Sequence, residues 1–356
     1  MMTTTPTRSA ALSLSVLDLM PVRNTQTTAN ALSASVALAQ RADQLGYTRY
    51  WVAEHHNMPS VASTNPPVLI GILAARTERI RVGSGGVMLP NHAPLVIAEQ
   101  FGLLEAAFPG RIDLGIGRAP GSDPVITSFL RSSGAVSEVD AFPRNIGDIT
   151  ALVHPDGAAL NLTSGQSYDL RATPRAASTP TVWLLGSSEY SANLAAAEGL
   201  PYVFANHFSG DGTTHALDTY RTLFTPSEHL AEPRTFLTVN VSVADTAEEA
   251  YALALPQMQQ MARLRTGQKL SALATVEEAA VTPMTAMQLE MIERMTDTWV
   301  IGDAAAAAAR LRALAERFDV SEIMVGPEAS AHDGADPDSS PARVHALELL
   351  AGEFLV

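Results

Sequence analysis

Three ionisable side chains, Glu54, His55 and His56, follow one another at the end of a predicted strand. An imidazole with an ordinary pKa of ~6.5 can accept or release a proton near neutral pH. Because side chains alternate along a strand, Glu54 and His56 are predicted on one face and His55 on the other. The three groups then do not form one metal site, which would need outside ligands such as His92 or His207. We expect no bound metal and a structural role for at least one of the two adjacent histidines.

A glycine pair interrupts an otherwise regular strand pattern in the segment Ser84-Gly85-Gly86. Glycine inside a strand marks a bulge or a place where a ligand comes close to the backbone. A flat aromatic ring system is a ligand of this kind. The same glycines could instead relieve crowding at the mouth of a barrel, and the segment alone leaves both interpretations open.

Another candidate site lies in the segment 115–121. This segment begins as a dinucleotide-binding pattern but has Pro120 where that pattern requires its third glycine. The match to a nicotinamide dinucleotide motif is therefore weak. Arg118 remains as a permanently charged group whose planar guanidinium suits phosphate. The alternative is an ion pair with a carboxylate, for which Asp113 and Asp123 are the candidates.

A further candidate site follows another predicted strand, where Gly186, Ser187 and Ser188 lead into a helix that contains Ser191. Free backbone N–H groups at a helix N-terminus, its positive dipole end and nearby hydroxyl groups together bind anions. One serine would suffice as an ordinary helix cap. Three serines around one helix start favour an anion such as phosphate.

Short apolar strands alternate with longer amphipathic helices along the chain, which predicts repeated βα units and a parallel sheet. This number of units with no linker favours an α/β fold closed into a (β/α)8 barrel over an open doubly wound sheet. In either fold the candidate groups lie at the carboxyl ends of strands. The predicted strands are 12–19, 49–56, 80–89, 111–117, 181–186, 201–207, 236–244 and 321–326. Predicted helices include one through Leu45, others at 66–76, 95–108, 191–198 and 246–265, one from Asp303, and one ending at Phe354.

The chain is predicted to form one domain, residues 12–356, after a flexible terminus of residues 1–11. Two long segments interrupt the βα rhythm, about 155–179 and 267–297, and such insertions are either binding loops and lids or surface decoration. The helix from Thr246 has a capping-box pattern with Glu249. The loop before the last helix, 332–341, suggests no function.

Composition excludes several classes of protein. The 356 residues are 46% hydrophobic, with a formal net charge of −14 and a pI near 5.0, which argues against nucleic acid and anionic membranes as partners. The chain has no cysteine, so disulfides, thiolate catalysis and cysteine-ligated metals are excluded. The polar start and the absence of a long apolar run predict neither a signal peptide nor a membrane span. We therefore expect a cytoplasmic protein.

Taken in order, four segments resemble the bacterial-luciferase-like flavin-dependent monooxygenases, in particular their single-chain branch. The segments are 51–57, 79–90, 111–121 and 186–200, and the likeness extends over about residues 12–354. The resemblance implies a TIM barrel that binds FMN, used as FMNH₂ with O₂, and a homodimer formed through the helices at 66–76 and 95–108. It also implies a small-molecule substrate, with an aldehyde or similar carbonyl compound as the default of the family.

The resemblance further assigns roles to the candidate residues. His55 corresponds to the active-site histidine of the family, and segment 267–297 to its mobile lid. Ser84, Gly85 and Gly86 correspond to the strand end beneath the flavin ring, where the family often has a cis peptide. The residues that correspond to the phosphate site are Arg118, Gly186, Ser187, Ser188 and Ser191.

Three functions are consistent with these residues: an FMN monooxygenase, a deazaflavin-dependent enzyme that transfers hydride without oxygen, and a flavin-binding protein without turnover. The first requires a source of reduced flavin. Since segment 115–121 is the only approach to a nicotinamide dinucleotide motif and lacks its third glycine, we expect a separate NAD(P)H:flavin reductase as partner.

Overall fold

The computed structural model describes residues 12–132, 139–208 and 210–355, so the terminus expected to be flexible, residues 1–11, lies outside the described residues. In these ranges the strands are β1 (Ser13–Asp18), β2 (Arg49–Val52), β3 (Arg81–Ser84), β4 (Val87–Met88), β5 (Ile112–Gly117), β6 (Ala158–Asn161), β7 (Ser167–Leu170), β8 (Thr181–Gly186), β9 (Tyr202–Phe204), β10 (Thr235–Val243), β11 (Val300–Gly302) and β12 (Glu322–Pro327). The helices are α1 (Thr28–Leu45), α2 (Pro66–Ala74), α3 (Pro94–Ala107), α4 (Pro124–Arg131), α5 (Phe142–Val153), α6 (Glu189–Ala197), α7 (Thr213–Leu223), α8 (Ala247–Arg265), α9 (Val276–Val281), α10 (Ala286–Thr298), α11 (Ala304–Phe318) and α12 (Pro341–Phe354).

Eight strands close into a parallel barrel. Their order around the ring is β1, β2, β3, β5, β8, β9, β10 and β12, and β12 pairs again with β1. Each ring strand overlaps one of the eight strands predicted from the sequence, so the predicted barrel is confirmed against the open sheet. The short strands β4 and β11 extend the sheet beside β5 and β10, and β6 and β7 form a separate antiparallel hairpin.

Three predicted strands are clearly shorter than expected, and one of them, predicted at 201–207, covers only Tyr202–Phe204. The second ends at Val52, before the ionisable cluster. The third is divided into β3 and β4 by Gly85 and Gly86, which are joined by a cis peptide bond. The glycine pair therefore lies between two strand segments, both paired with β5.

The amino end of the barrel is filled by buried ion pairs and aromatic rings. Arg49, the first residue of β2, donates to Asp113 over 2.7 Å and to Glu322 over 2.6 Å. Its guanidinium also lies 5.0 Å from the ring centre of Trp183 and 5.4 Å from that of Phe236. These groups close the amino end of the barrel. The end that remains for a ligand is therefore the one at the carboxyl ends of the strands.

Both segments that interrupt the rhythm have structure of their own. The first contains the hairpin of β6 and β7, and the second contains α9 and α10. α10 packs on α8 through an apolar cluster that includes Ile292 and Met295 of α10 and Met258 of α8. None of the helices in the described ranges has the combination of length and hydropathy that a bilayer crossing requires.

Of the two hydrogen bonds that make up the capping box predicted for α8, only one is present. The Thr246 hydroxyl accepts a hydrogen bond from the backbone N–H of Glu249 over 3.2 Å, as predicted. The Glu249 carboxylate, however, contacts Nε2 of His332 at 2.7 Å, which takes it away from the start of its own helix. The loop before α12, for which no role was expected, is thus attached to α8.

Candidate active site

A cavity of about 620 Å³ opens at the carboxyl ends of the barrel strands. It receives side chains or backbone from segments that are far apart in the sequence, because the carboxyl ends of all parallel strands meet at one rim. Eight of the nine predicted site residues line it: His55, Gly85, Gly86, Arg118, Gly186, Ser187, Ser188 and Ser191.

The ninth residue, Ser84, does not line the cavity. Its side chain is fully buried, and its hydroxyl donates to the carbonyl of Gly115 over 2.8 Å. This bond joins the end of β3 to β5 directly beneath the glycine pair. Ser84 therefore contacts the backbone that carries the cavity floor.

The glycine pair forms a floor of bare backbone. A Cβ atom on Gly85 would lie 2.9 Å from Leu17 Cδ1, and one on Gly86 would lie 2.9 Å from the carbonyl oxygen of Gly115. At Gly86 the obstructing atom belongs to the backbone, so a larger residue does not fit there. At Gly85 the side chain of Leu17 would have to shift to admit one. The floor therefore has no side chains of its own at these two positions.

Arg118 lies on the wall of the cavity without an ion-pair partner. Its guanidinium is 4.1 Å from the ring centre of Tyr190, a cation–π distance. The two carboxylates considered as partners are engaged elsewhere: Asp113 with Arg49 and Arg81, and Asp123 with the first N–H groups of α4. Among the described residues no carboxylate neutralises Arg118, so its charge is available to a ligand.

The serine turn beside Arg118 leaves its hydroxyl groups available. Ser188 is the N-cap residue of α6, yet its side chain makes no capping hydrogen bond. Gly186 is required for close packing, because a Cβ atom there would lie 2.2 Å from Oγ of Ser191.

Arg131, which the sequence analysis did not predict, adds a second cation to the cavity wall, and its Nε is buried without a hydrogen-bond partner. Its position at the end of an exposed helix gave no signal in the sequence.

The His55 ring is held at the cavity with an unused polar atom. Its backbone N–H donates to the carbonyl of Ser63 over 3.0 Å, whereas its Nδ1 is buried and has no hydrogen-bond partner. Burial lowers the pKa of His55 below its ordinary value, against the opposing charge of Glu54. Burial thus favours the neutral form of His55 more than in an exposed histidine.

Glu54 and His56 lie on the other side of the chain, as alternation predicts. The Glu54 carboxylate contacts Nε2 of His56 at 2.9 Å and Nε2 of His92 at 2.8 Å, and it accepts from the backbone N–H of Met88 over 2.9 Å. Burial alone would raise the pKa of Glu54, but the two imidazoles lower it to about 2. The cluster fastens the end of β2 to the segment after β4. Within the described ranges no three histidine, aspartate or glutamate side chains are arranged to hold a metal ion.

Three polar residues at the later barrel strands, His207, Asn240 and Glu328, line the cavity and were not predicted as cofactor ligands. The same holds for Thr127 on α4 and Gln257 on α8. Burial, reinforced by the proximity of His55, lowers the pKa of His207 to about 4. Burial also raises the pKa of Glu328 to about 7, with a further contribution from the charge of Asp18. Each of the three lies in or just after a barrel strand, which is the signal that sequence reasoning could have used.

The family model described as luciferase-like monooxygenase matches residues 12–320 of the chain. A luciferase-like monooxygenase of Escherichia coli (strain K12) is 38% identical over 341 residues, which are 95% of this chain and 96% of that protein. N-acetyl-S-alkylcysteine monooxygenase of Bacillus subtilis is 39% identical over 240 residues, 67% of this chain and 69% of that protein.

Solved structures with the same fold include apo-MsnO8, with a TM-score of 0.83 and 33% identity over 97% of this chain and 98% of that chain. The oxygenating constituent of 3,6-diketocamphane monooxygenase of Pseudomonas putida, in complex with FMN, has a TM-score of 0.68 and 18% identity over 97% of this chain and 98% of that chain. An F420-dependent secondary alcohol dehydrogenase has a TM-score of 0.63 and 12% identity over 97% and 99%. The last two likenesses concern the fold alone.

Proposed function

Because the chain belongs to the luciferase-like monooxygenase family, we propose that it is an FMN-dependent monooxygenase that oxidises a small organic substrate with reduced flavin and O₂. The observation that carries the proposal is the juxtaposition, in one cavity, of the bare floor of Gly85 and Gly86 with the available charge of Arg118. A flat ring joined to a phosphate is the ligand that uses both features.

The residues present fit FMN in size and charge. The cavity of about 620 Å³ is within the usual range for cofactor sites. The isoalloxazine ring would lie on Gly85 and Gly86. The phosphate would be bound by Arg118, by Arg131 and by the free N–H and hydroxyl groups at the start of α6, in which Ser187, Ser188 and Ser191 take part.

Bound reduced FMN would supply the two electrons with which O₂ is activated for insertion into the substrate. The contribution of the chain is to exclude water and to manage a proton. Leu19, Met88 and Leu185 give much of the cavity an apolar lining that keeps water from the reacting atoms. His55, whose neutral form is favoured by burial, would accept a proton from the substrate and return it after oxidation.

The alternative cofactor is a deazaflavin, since a chain of this fold is an F420-dependent alcohol dehydrogenase. The two functions differ in whether oxygen is consumed. Titration of the purified protein with FMN and with F420, each oxidised and reduced, should show the tightest binding for reduced FMN. The protein should then consume O₂ when reduced FMN and an aldehyde are supplied together, at a rate above that of free reduced flavin.

Tighter binding of F420 with no oxygen uptake would replace the monooxygenase with a hydride-transfer enzyme. FMN binding without any turnover over a panel of aldehydes, ketones and thioethers would favour a flavin-binding protein. Thioethers belong in the panel because the Bacillus subtilis relative is named N-acetyl-S-alkylcysteine monooxygenase.

A further inference from the structure

The rim of the cavity has two halves of different chemistry, and the order of strands around the barrel separates them. β3, β5 and β8 are consecutive in the ring and carry the glycine floor, Arg118 and the serine turn. β9, β10 and β12 are also consecutive, and they carry His207, Asn240 and Glu328. We call these three residues the acceptor wall.

His207 has a hydrogen-bonding arrangement in which its free ring nitrogen is an acceptor. The hydroxyl of Thr238 lies 3.1 Å from the carbonyl oxygen of Phe204, to which it donates. With its proton used there, we assign the 2.9 Å contact between that hydroxyl and Nδ1 of His207 as a hydrogen bond donated by Nδ1. Nε2 is left with its lone pair in a ring that lines the cavity. The low pKa of about 4 keeps the ring neutral.

Asn240 also presents an acceptor. One of its side-chain atoms lies 3.0 Å from the carbonyl oxygen of His207, and a carbonyl oxygen requires a donor, so this atom is Nδ2. Its Oδ1 points the other way, towards Gly326. A Cβ atom on Gly326 would lie 3.1 Å from Oδ1 of Asn240 and 3.3 Å from Oε1 of Glu328. The two oxygens thus converge beside Gly326.

Glu328 adds negative charge to this wall. No side chain in the described ranges forms a hydrogen bond or ion pair with its carboxylate, although it is partly buried. The charge of Arg343 acts on Glu328 and opposes the effect of burial on its pKa. The guanidinium of Arg343, however, donates to Asp18 over 2.6 Å and to the carbonyl of Pro327 over 2.9 Å and makes no direct hydrogen bond to Glu328. A half-buried carboxylate without a direct hydrogen bond is costly, and a cationic ligand would supply one.

We propose that the acceptor wall binds the head group of the substrate and that this head group is a protonated amine. An ammonium has three donors and no acceptor, which matches three acceptors, one of them anionic. Phe208, Met261 and Trp299 line the cavity as well and provide an apolar surface for the carbon chain of such an amine. A carboxylate or phosphate would instead meet like charge at Glu328. The inference rests on the proposed function, since it takes this cavity as the place where substrate meets cofactor.

The test compares three probes of equal chain length, n-hexylamine, 1-hexanol and hexanoate, by isothermal titration calorimetry on the full chain without flavin. Phosphate buffer occupies the anion site at Arg118 and Arg131 in the same cavity, so that these cations are not left free for hexanoate. At pH 8, above the pKa of Glu328 at about 7, hexylamine should bind at least tenfold more tightly than hexanol, and hexanoate most weakly. Glu328→Gln should lose roughly ten- to a hundredfold in affinity for hexylamine and keep its affinity for hexanol. Glu316→Gln, which removes an exposed charge on α11, should behave as the wild type.

Equal binding of hexylamine and hexanol by the wild type, or preferential binding of hexanoate, would overturn the inference without any variant. Full hexylamine affinity in Glu328→Gln would remove Glu328 from the site. FMN titration of the same proteins separates the two proposals. Normal FMN binding with no preference for the amine contradicts this inference alone, whereas amine preference without flavin binding contradicts the proposed cofactor alone.

Discussion

Among the single residues of the cavity, Arg118 carries a charge that the described part of the chain leaves unneutralised. Its guanidinium lies over Tyr190, whereas buried Arg49 contacts two carboxylates. Arg118→Ala should weaken FMN binding by about ten- to a hundredfold, because a charge-assisted hydrogen bond contributes roughly 1.5–3 kcal/mol. Fluorescence titration measures this directly. Arg317→Ala, which removes an exposed arginine on α11, is the control and should bind FMN normally. Unchanged affinity in Arg118→Ala would exclude it from the phosphate site.

Replacing His55 should reduce turnover, whereas replacing the adjacent His56 should reduce thermal stability. His55→Ala should lose about 10²–10⁴-fold in turnover with FMN affinity largely intact, because it removes a general acid–base group at the cavity. His56→Ala should mainly lower the melting temperature, since it leaves the carboxylate of Glu54 with one imidazole fewer. Steady-state rates and thermal melts of both variants make the comparison. Equal losses of activity that follow the melting temperature would mean that both histidines are structural.

At the scale of elements, His332 joins three parts of the chain. Its ring contacts Glu249 on α8 at 2.7 Å and Glu277 on α9 at 2.6 Å, and it lies in the loop before α12. The two hydrogen bonds raise the pKa of His332 above its ordinary value. A group whose pKa is raised by folding stabilises the fold fully below its unfolded pKa, and this stabilisation is lost as pH rises through the folded pKa.

The His332 bridge should therefore be pH-dependent in one direction. The melting temperature of His332→Gln should fall below that of the wild type by on the order of a degree or two near pH 6, and the difference should close above the raised pKa. The effect is small because the side chain is half exposed. Thermal melts from pH 6 to 9 provide the measurement, and the difference should vanish in a background carrying Glu249→Gln and Glu277→Gln. A gap that widens with pH would contradict the bridge.

At the scale of the whole molecule, α2 and α3 form an exposed apolar face. Val68, Val96 and Leu103 are 58%, 48% and 55% exposed, respectively. Apolar surface of this kind is expected at an interface between subunits, and we propose that it forms the homodimer contact. The double variant Val96→Asp/Leu103→Asp should convert a dimer into a monomer in light scattering, because buried unpaired charge of one sign is costly. Leu289→Asp on α10, where the leucine is 55% exposed, should remain dimeric. A monomeric wild type would contradict the proposal.

The whole chain should also depend on a partner for its electrons. Its cavity is proposed to bind FMN, and the incomplete motif at 115–121 supplies Arg118 to the same cavity. The purified protein should therefore be nearly colourless and inactive with NADH, FMN and an aldehyde. Turnover should begin when an unrelated NAD(P)H:flavin reductase is added. Oxidation of NADH by the protein alone, in proportion to its concentration and abolished by boiling, would require a nicotinamide site in this chain.

The sequence by itself determined the eight ring strands, several of the helices and most of one half of the cavity. Alternation of βα units predicted the eight ring strands, and parallel strands bring their carboxyl ends to one rim whatever their order. For this reason His55, the glycine pair, Arg118 and the serine turn could be assigned to one cavity before the fold was known. These groups are recognisable because residue type and local position suffice to identify them.

Only the tertiary structure decided which of these groups are available and what faces them. Whether Arg118 pairs with Asp113 depends on Arg49 of β2 and Arg81 of β3, which both reach that carboxylate on β5. Whether Glu328 has a partner depends on Arg343, which bonds Asp18 at the far end of the chain. Hydrogen bonds and ion pairs act over about 3–4 Å, and the order in which strands close the barrel sets these distances. The acceptor wall is visible only once β9, β10 and β12 are neighbours.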